Sequence, residues 1–242
     1  MKVNEIEENM IIDEEKENIE RNLPECEQYD KSIKVIILGD SNVGKSSLIN
    51  RLINNKFVEL SNTLSIEYHS YITSINGYKI RMQIWDTAGQ EKFNSLVTNY
   101  YKGSDVAIFV YSIDTEESFK NIERWYKLLK ENNENSINIL IGNKSDKKDE
   151  KTVSYEIAEN FATLNNFFLF REISCKSKET CDIEDIHEIF DEIGKKIYNE
   201  SKDNRMTSDS VSYKISDSMR VFGEKKKIKK ENLKNKQKKK CC

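Results

Sequence analysis

The chain has 242 residues, 37% of them hydrophobic, and 39 Lys and Arg against 42 Asp and Glu give a net charge of −3. That length suits one well-buried domain with extensions and is short for two independent cores. Five cysteines without metal-ligand spacing argue against a disulfide framework or a zinc site, and no apolar run approaches the roughly 18 to 20 residues of a membrane-spanning helix.

Charge is sorted along the chain. Residues 1–30 carry 3 basic and 11 acidic residues, a net of −8, whereas residues 201–242 carry 14 basic and 5 acidic, a net of +9. In the first segment Ile6, Met10, Ile11, Ile12 and Ile19 are too sparse for a core, so 1–30 is read as an acidic mobile extension. It lacks the basic start and apolar centre of a secretory signal, and no Gly follows Met1 to accept a myristoyl chain. A reduced, cytosol-facing protein is expected.

Residues 31–200 change character. Short apolar runs at 33–38, 105–113, 137–142 and 167–173 read as buried strands, and helical stretches at 45–54, 91–101, 116–132 and 153–164 separate them. The alternation predicts an α/β fold, with a mostly parallel sheet between helices. Asn76-Gly77, between extended segments 66–75 and 78–85, predicts a tight hairpin and hence one antiparallel strand. A last helix shows Ile183, Ile186, Ile189, Phe190, Ile193 and Ile197 at threes and fours, a stripe for packing on the sheet. From 201 to 242 the chain is polar and then lysine-rich, a flexible tail.

Three motifs carry chemistry. Gly39-Asp40-Ser41-Asn42-Val43-Gly44-Lys45-Ser46, followed by Ser47, lies between a strand and a helix, the setting of a phosphate-binding P-loop. Glycines let backbone N–H groups wrap phosphate oxygens, Lys45 adds a full charge, and the Ser46 hydroxyl suits Mg²⁺. Such a loop does not separate ATPases, kinases and GTPases. Asn143-Lys144-Ser145-Asp146, read alone, is more often an ordinary surface turn; after a P-loop and a buried strand it resembles the guanine-reading Asn-Lys-x-Asp motif of Ras-superfamily GTPases. A carboxylate at Asp146 accepts from guanine N1 and N2, and adenine offers no matching pair. In Trp85-Asp86-Thr87-Ala88-Gly89-Gln90-Glu91, Asp86 at a strand end suits Mg²⁺ through water, the Gly89 N–H suits a γ-phosphate and Gln90 an attacking water.

Together these motifs resemble the Ras superfamily of GTPases. Met82-Gln83-Ile84-Trp85, Tyr100-Tyr101-Lys102-Gly103 and Phe109-Val110-Tyr111-Ser112 narrow the resemblance to Rab proteins over roughly residues 32–199. The resemblance implies a P-loop GTPase fold of six strands, and further site residues. Ser174-Cys175-Lys176 resembles the second guanine-contacting loop, Thr63 the threonine completing Mg²⁺ coordination when a γ-phosphate is present, and Phe57 the aromatic beside the base. Cys241 and Cys242, after ten lysines against Glu231 in 225–240, resemble the double geranylgeranylation signal of Rabs. Where Rabs usually carry Ile-Gly-Val-Asp-Phe, this chain has Leu64-Ser65-Ile66-Glu67-Tyr68.

The expected function is a membrane-tethered switch that binds GTP or GDP with Mg²⁺, hydrolyses GTP slowly unaided and recruits effectors in vesicle transport. Activating proteins, exchange factors, a prenyl-binding chaperone and an anionic membrane surface are the expected partners, with no nucleic acid among them. The expected place is the cytoplasmic face of an intracellular membrane, in exchange with cytosol. A nucleotide-binding scaffold with little turnover is the alternative, motivated by Ser65 and by a segment from Phe57 to Thr63 about one residue shorter than is usual in Rabs. A P-loop kinase conflicts with Asn143–Asp146.

Overall fold

A computed structural model of the protein describes residues 28–58, 67–86, 101–177 and 184–203. The expected acidic extension up to residue 27, the helix at 91–101 apart from Tyr101, and the tail beyond 203 lie outside these residues.

Six strands form one sheet: β1 (Lys31–Leu38), β2 (Glu67–Ile75), β3 (Tyr78–Asp86), β4 (Val106–Ser112), β5 (Ile137–Asn143) and β6 (Leu169–Glu172). Their spatial order is β2-β3-β1-β4-β5-β6. Every pairing is parallel except β2 with β3. The hairpin joining that pair turns at Asn76 (φ 54°) and Gly77 (φ 81°), two successive positive φ values of the kind a right-twisted hairpin requires. All seven residues of β4 are buried, as befits a strand covered on both faces.

Helices α1 (Lys45–Asn54), α2 (Glu116–Asn132), α3 (Tyr155–Leu164) and α4 (184–203) cover the sheet on both faces. One core layer joins Leu48, Ile49 and Leu52 of α1 to Ile186, Ile189, Phe190, Ile193 and Ile197 of α4 and to Ile80, Met82 and Ile84 of β3. The other joins Ile122, Trp125 and Leu129 of α2 to Ala158 and Ala162 of α3, against Ile36, Phe109 and Tyr111. The period of the α4 stripe thus has a physical counterpart in a buried face.

Boundaries differ locally from the sequence reading. The apolar run 167–173 forms a strand only over Leu169–Glu172. Phe167 instead donates its N–H to Ala162 O at 2.9 Å, closing the turn that ends α3. That helix starts at Tyr155 because Ser154 caps it, its side chain accepting from the Ile157 N–H. Helix α4 continues to 203, taking in the first three residues of the expected tail. At the other end Asp30, placed in the extension, exchanges bonds with Lys79 in line with the β1–β3 ladder.

Candidate nucleotide site at the strand ends

In parallel strands every carboxyl end lies on one edge, and ligands of such sheets bind outside that edge where the winding reverses. Here β1 is that point, flanked by β3 and β4. The loops after β1, β5 and β6, and the last residue of β3, hold the motifs.

After β1 the backbone rises through Ser41 and Asn42, both exposed, with Asn42 at φ 62°. Gly44 (φ 97°) precedes α1 and gives it no side-chain cap, so the first amides of the helix have no side-chain acceptor at that position. A methyl group on Gly44 would stand 2.1 Å from Asn143 Nδ2. Glycine is therefore required there by conformation and by space. Lys45 is buried and its ammonium donates to the carbonyls of Gly39 (2.9 Å) and Asp40 (2.7 Å). Burial lowers its pKa to about 8 against the pull of Asp86 and Asp40. The group is a desolvated cation suited to an anionic ligand.

Asp86, the last residue of β3, is fully buried. Burial pushes its pKa up, and a hydrogen bond from Ser46 and the Lys45 charge oppose that shift. Ser46 Oγ donates to Asp86 Oδ2, while Oδ1 has no partner among the described residues. A buried, orphaned carboxylate oxygen beside a hydroxyl is an oxygen donor set that fits a hard divalent cation such as Mg²⁺.

The base-reading loops are held by Asn143. Its Nδ2 donates to Val43 O at 2.8 Å, and its Oδ1 accepts from the N–H of Lys144 (2.8 Å) and of Cys175 (3.2 Å). One amide thus ties the P-loop to the loops after β5 and β6. Ser174 Oγ donates to Asp146 and accepts from the N–H groups of Lys176 (3.2 Å) and Ser177 (3.0 Å). Cys175 is 2% exposed, and burial pushes its thiol up to about 12, so it is a packing residue and not a reactive one.

A match to the Ras family spans residues 34–199. "Ras-related protein YPTC6" of Chlamydomonas reinhardtii is 36% identical over 74% of this chain and 84% of the relative. "Ras-related protein rab-11.1" of Caenorhabditis elegans is 32% identical over 77% and 87% respectively. "Ras-related protein Rab-11B" of Dictyostelium discoideum reaches 42%, over 56% of the chain and 62% of that relative. The chain belongs to the Ras family, in its Rab branch.

As a Rab it is a small GTPase of vesicle trafficking. Rab proteins bind GTP and GDP with Mg²⁺ and interact with activating proteins, exchange factors and effectors. No described helix of this Rab is long and apolar enough to cross a membrane.

Within this Rab, Ser41 to Ser47, Asp86, Asn143, Lys144, Asp146 and Ser174 to Lys176 lie on the same edge of the sheet. Phe57 is in the segment after α1, 36% exposed. Thr63, Gly89, Gln90, Cys241 and Cys242 lie outside the described residues, as does Leu64-Ser65-Ile66.

Two supports had no sequence motif to announce them. The carboxylate of Asp40 accepts from the Trp125 indole N–H (2.9 Å) and the Asn121 amide (2.7 Å), fastening the P-loop to α2. Arg51 of α1, 4% exposed, donates through Nε to Cys175 O at 3.1 Å and through Nη2 to Ser177 O. A lone arginine beside the apolar residues of α1 was the available signal: a buried guanidinium needs carbonyl or carboxylate partners.

Proposed function

We propose that this Rab is a membrane-tethered GTP/GDP switch that binds and hydrolyses GTP and, in its GTP form, recruits effectors in vesicle transport. The observation that carries the reading is the Asn143 amide, which joins the P-loop to the base loops beside a buried Lys45 and an incompletely partnered Asp86.

Roles follow from chemistry. Ser41, Asn42, Val43, Gly44, Lys45, Ser46 and Ser47 surround the phosphates, with Lys45 supplying charge and the start of α1 supplying N–H donors. Ser46, Asp86 and Thr63 hold Mg²⁺, which neutralises charge on the phosphates when bound. Asn143, Lys144 and Asp146, with Ser174, Cys175 and Lys176, read guanine, and Phe57 covers the base. The Gly89 N–H meets the γ-phosphate and Gln90 orients the water. Unaided hydrolysis is slow; an activating protein raises it by as much as ~10⁵-fold, the magnitude found for Ras itself.

Residues 31–200 form the switch, 1–30 an acidic extension and 201–242 a tail geranylgeranylated at Cys241 and Cys242. A single lipid chain anchors marginally, so two suit stable residence, and a lysine near anionic headgroups adds about 1 kcal/mol. A prenyl-binding chaperone then carries the protein between the cytoplasmic face of an intracellular membrane and the cytosol.

The deciding experiment is Asp146→Asn. GTP affinity is expected to fall by roughly one to two decades, the effect of one to two charge-assisted hydrogen bonds, with a gain for xanthosine nucleotides, whose 2-oxo group accepts from the new amide. Unchanged GTP affinity in competition assays sinks the assignment.

A further inference from the structure

Asp114 has no part in the chemistry above, yet it is among the most heavily partnered carboxylates of the protein. It lies in the turn after β4, with a side chain only 9% exposed. Its oxygens accept from Lys147 Nζ at 2.7 Å, from Thr115 Oγ1 at 2.9 Å and from Ser112 Oγ, and Lys144 Nζ stands 3.9 Å away. The two lysines flank Asp146 in the loop after β5.

That loop needs support. Lys144 sits at φ 67°, in the left-handed region that residues with a side chain occupy only at a cost. Because β5 lies between β4 and β6, its following loop is gripped from two sides. From the β6 side Ile173 O accepts the Ser145 N–H at 3.0 Å and Ser174 bonds Asp146. From the β4 side Ile113 donates its N–H to Asn143 O at 3.0 Å, and Asp114 holds the two lysine side chains.

We propose that Asp114 is a positioning residue for guanine recognition, presetting the loop 143–147, and with it Asp146, through Lys147 and Lys144. Although burial works against its charge, hydrogen bonds from Lys147, Ser112 and Thr115 and the nearby Lys144 hold its carboxyl well below the usual carboxylate range. It is ionised throughout the neutral range. A loop ordered beforehand does not lose binding free energy to its own ordering, so nucleotide stays longer and the base is read against a fixed carboxylate. This inference rests on Asp146 as the base reader.

The test uses the full chain with Asp114→Asn, Lys147→Gln and both together. Two quantities are read: the release rate of fluorescently labelled GDP, and the preference for GDP over IDP, which lacks the 2-amino group that Asp146 accepts from. Asp114→Asn is expected to release GDP about tenfold faster and to lower the GDP preference several-fold, the scale of one lost charge-assisted contact. Lys147→Gln is expected to act in the same direction, and the double variant to have a GDP preference no lower than that of Asp114→Asn, since the Asp114–Lys147 contact is common to both. A purely structural role lowers the melting temperature and leaves the preference alone; an unchanged release rate and preference in both single variants overturns the proposal. If Asp114→Asn does not fold, an unchanged preference in Lys147→Gln does so by itself. A parent protein indifferent between GDP and IDP, or an Asp146→Asn variant with the parent's preference, overturns the base-reading assignment and the proposal with it.

Discussion

The two ends of the nucleotide site are built on opposite plans. At the phosphate end charge is buried and incompletely matched: Lys45 bonds two carbonyls, and Asp86 keeps one oxygen without a partner among the described residues. At the base end Asn143 uses both atoms of its amide, Ser174 serves Asp146 and two backbone N–H groups, and Arg51 satisfies the carbonyls of Cys175 and Ser177. Unmatched buried charge is costly until a ligand completes it, whereas a satisfied network is rigid before the ligand comes. The first plan favours affinity for polyphosphate with a cation, the second favours discrimination among bases.

The contrast between the two ends is greatest at Lys45. Lys45→Ala is expected to weaken GDP and GTP by more than about a hundredfold, the loss of two charge-assisted hydrogen bonds of roughly 1.5–3 kcal/mol each. The nucleotide-free protein should meanwhile unfold no more easily, since the desolvation cost of a buried ammonium bonded to two carbonyls is removed with it. Calorimetric titration with thermal melts checks both; an affinity loss under tenfold would show that the phosphate end does not depend on this charge.

Gly44→Ala strikes both ends at once, because the added methyl group falls on Asn143 Nδ2 at φ 97°. A stability loss of about 1–3 kcal/mol in urea unfolding is expected. Nucleotide affinity and GDP-over-IDP preference should fall together; a loss of affinity with intact preference would mean that the two ends are independent.

The smallest effect is the pH dependence of the Asp114 contact. Its carboxyl is depressed, so the stability it contributes is present above the unfolded carboxyl's pKa of about 4 and is lost as pH falls further. The gap in urea midpoint between parent and Asp114→Asn, worth about 1 kcal/mol for a hydrogen bond of this kind, should stay constant from pH 8 to 5 and close below about pH 4. A gap that is absent from pH 8 to 5 would mean that Asp114 contributes no more than an ordinary exposed carboxylate.

Much of this was legible without coordinates, because it is local. The P-loop is one strand-to-helix turn, the hairpin is an Asn-Gly dipeptide with both φ values positive, and helix 116–132 is a single run of amphipathic periodicity. The apolar run 167–173 yields a shorter strand than its composition predicts, because Phe167 is held in the α3 turn by a bond to Ala162.

The sequence by itself therefore determined which segments form strands and helices and which short motifs hold phosphate and base chemistry, since each depends on residues a few positions apart. Only the tertiary structure decided the company those motifs keep. Asp40 meets Trp125 across 85 positions, Arg51 meets Cys175 across 124, and Val43 meets Asn143 across 100. Strand order sets these encounters, and no periodicity in the chain encodes which carbonyl a buried guanidinium, or which carboxylate a buried indole N–H, will find. The requirement that each find one is general; the partner is chosen by the β2-β3-β1-β4-β5-β6 arrangement that brings their loops to one edge.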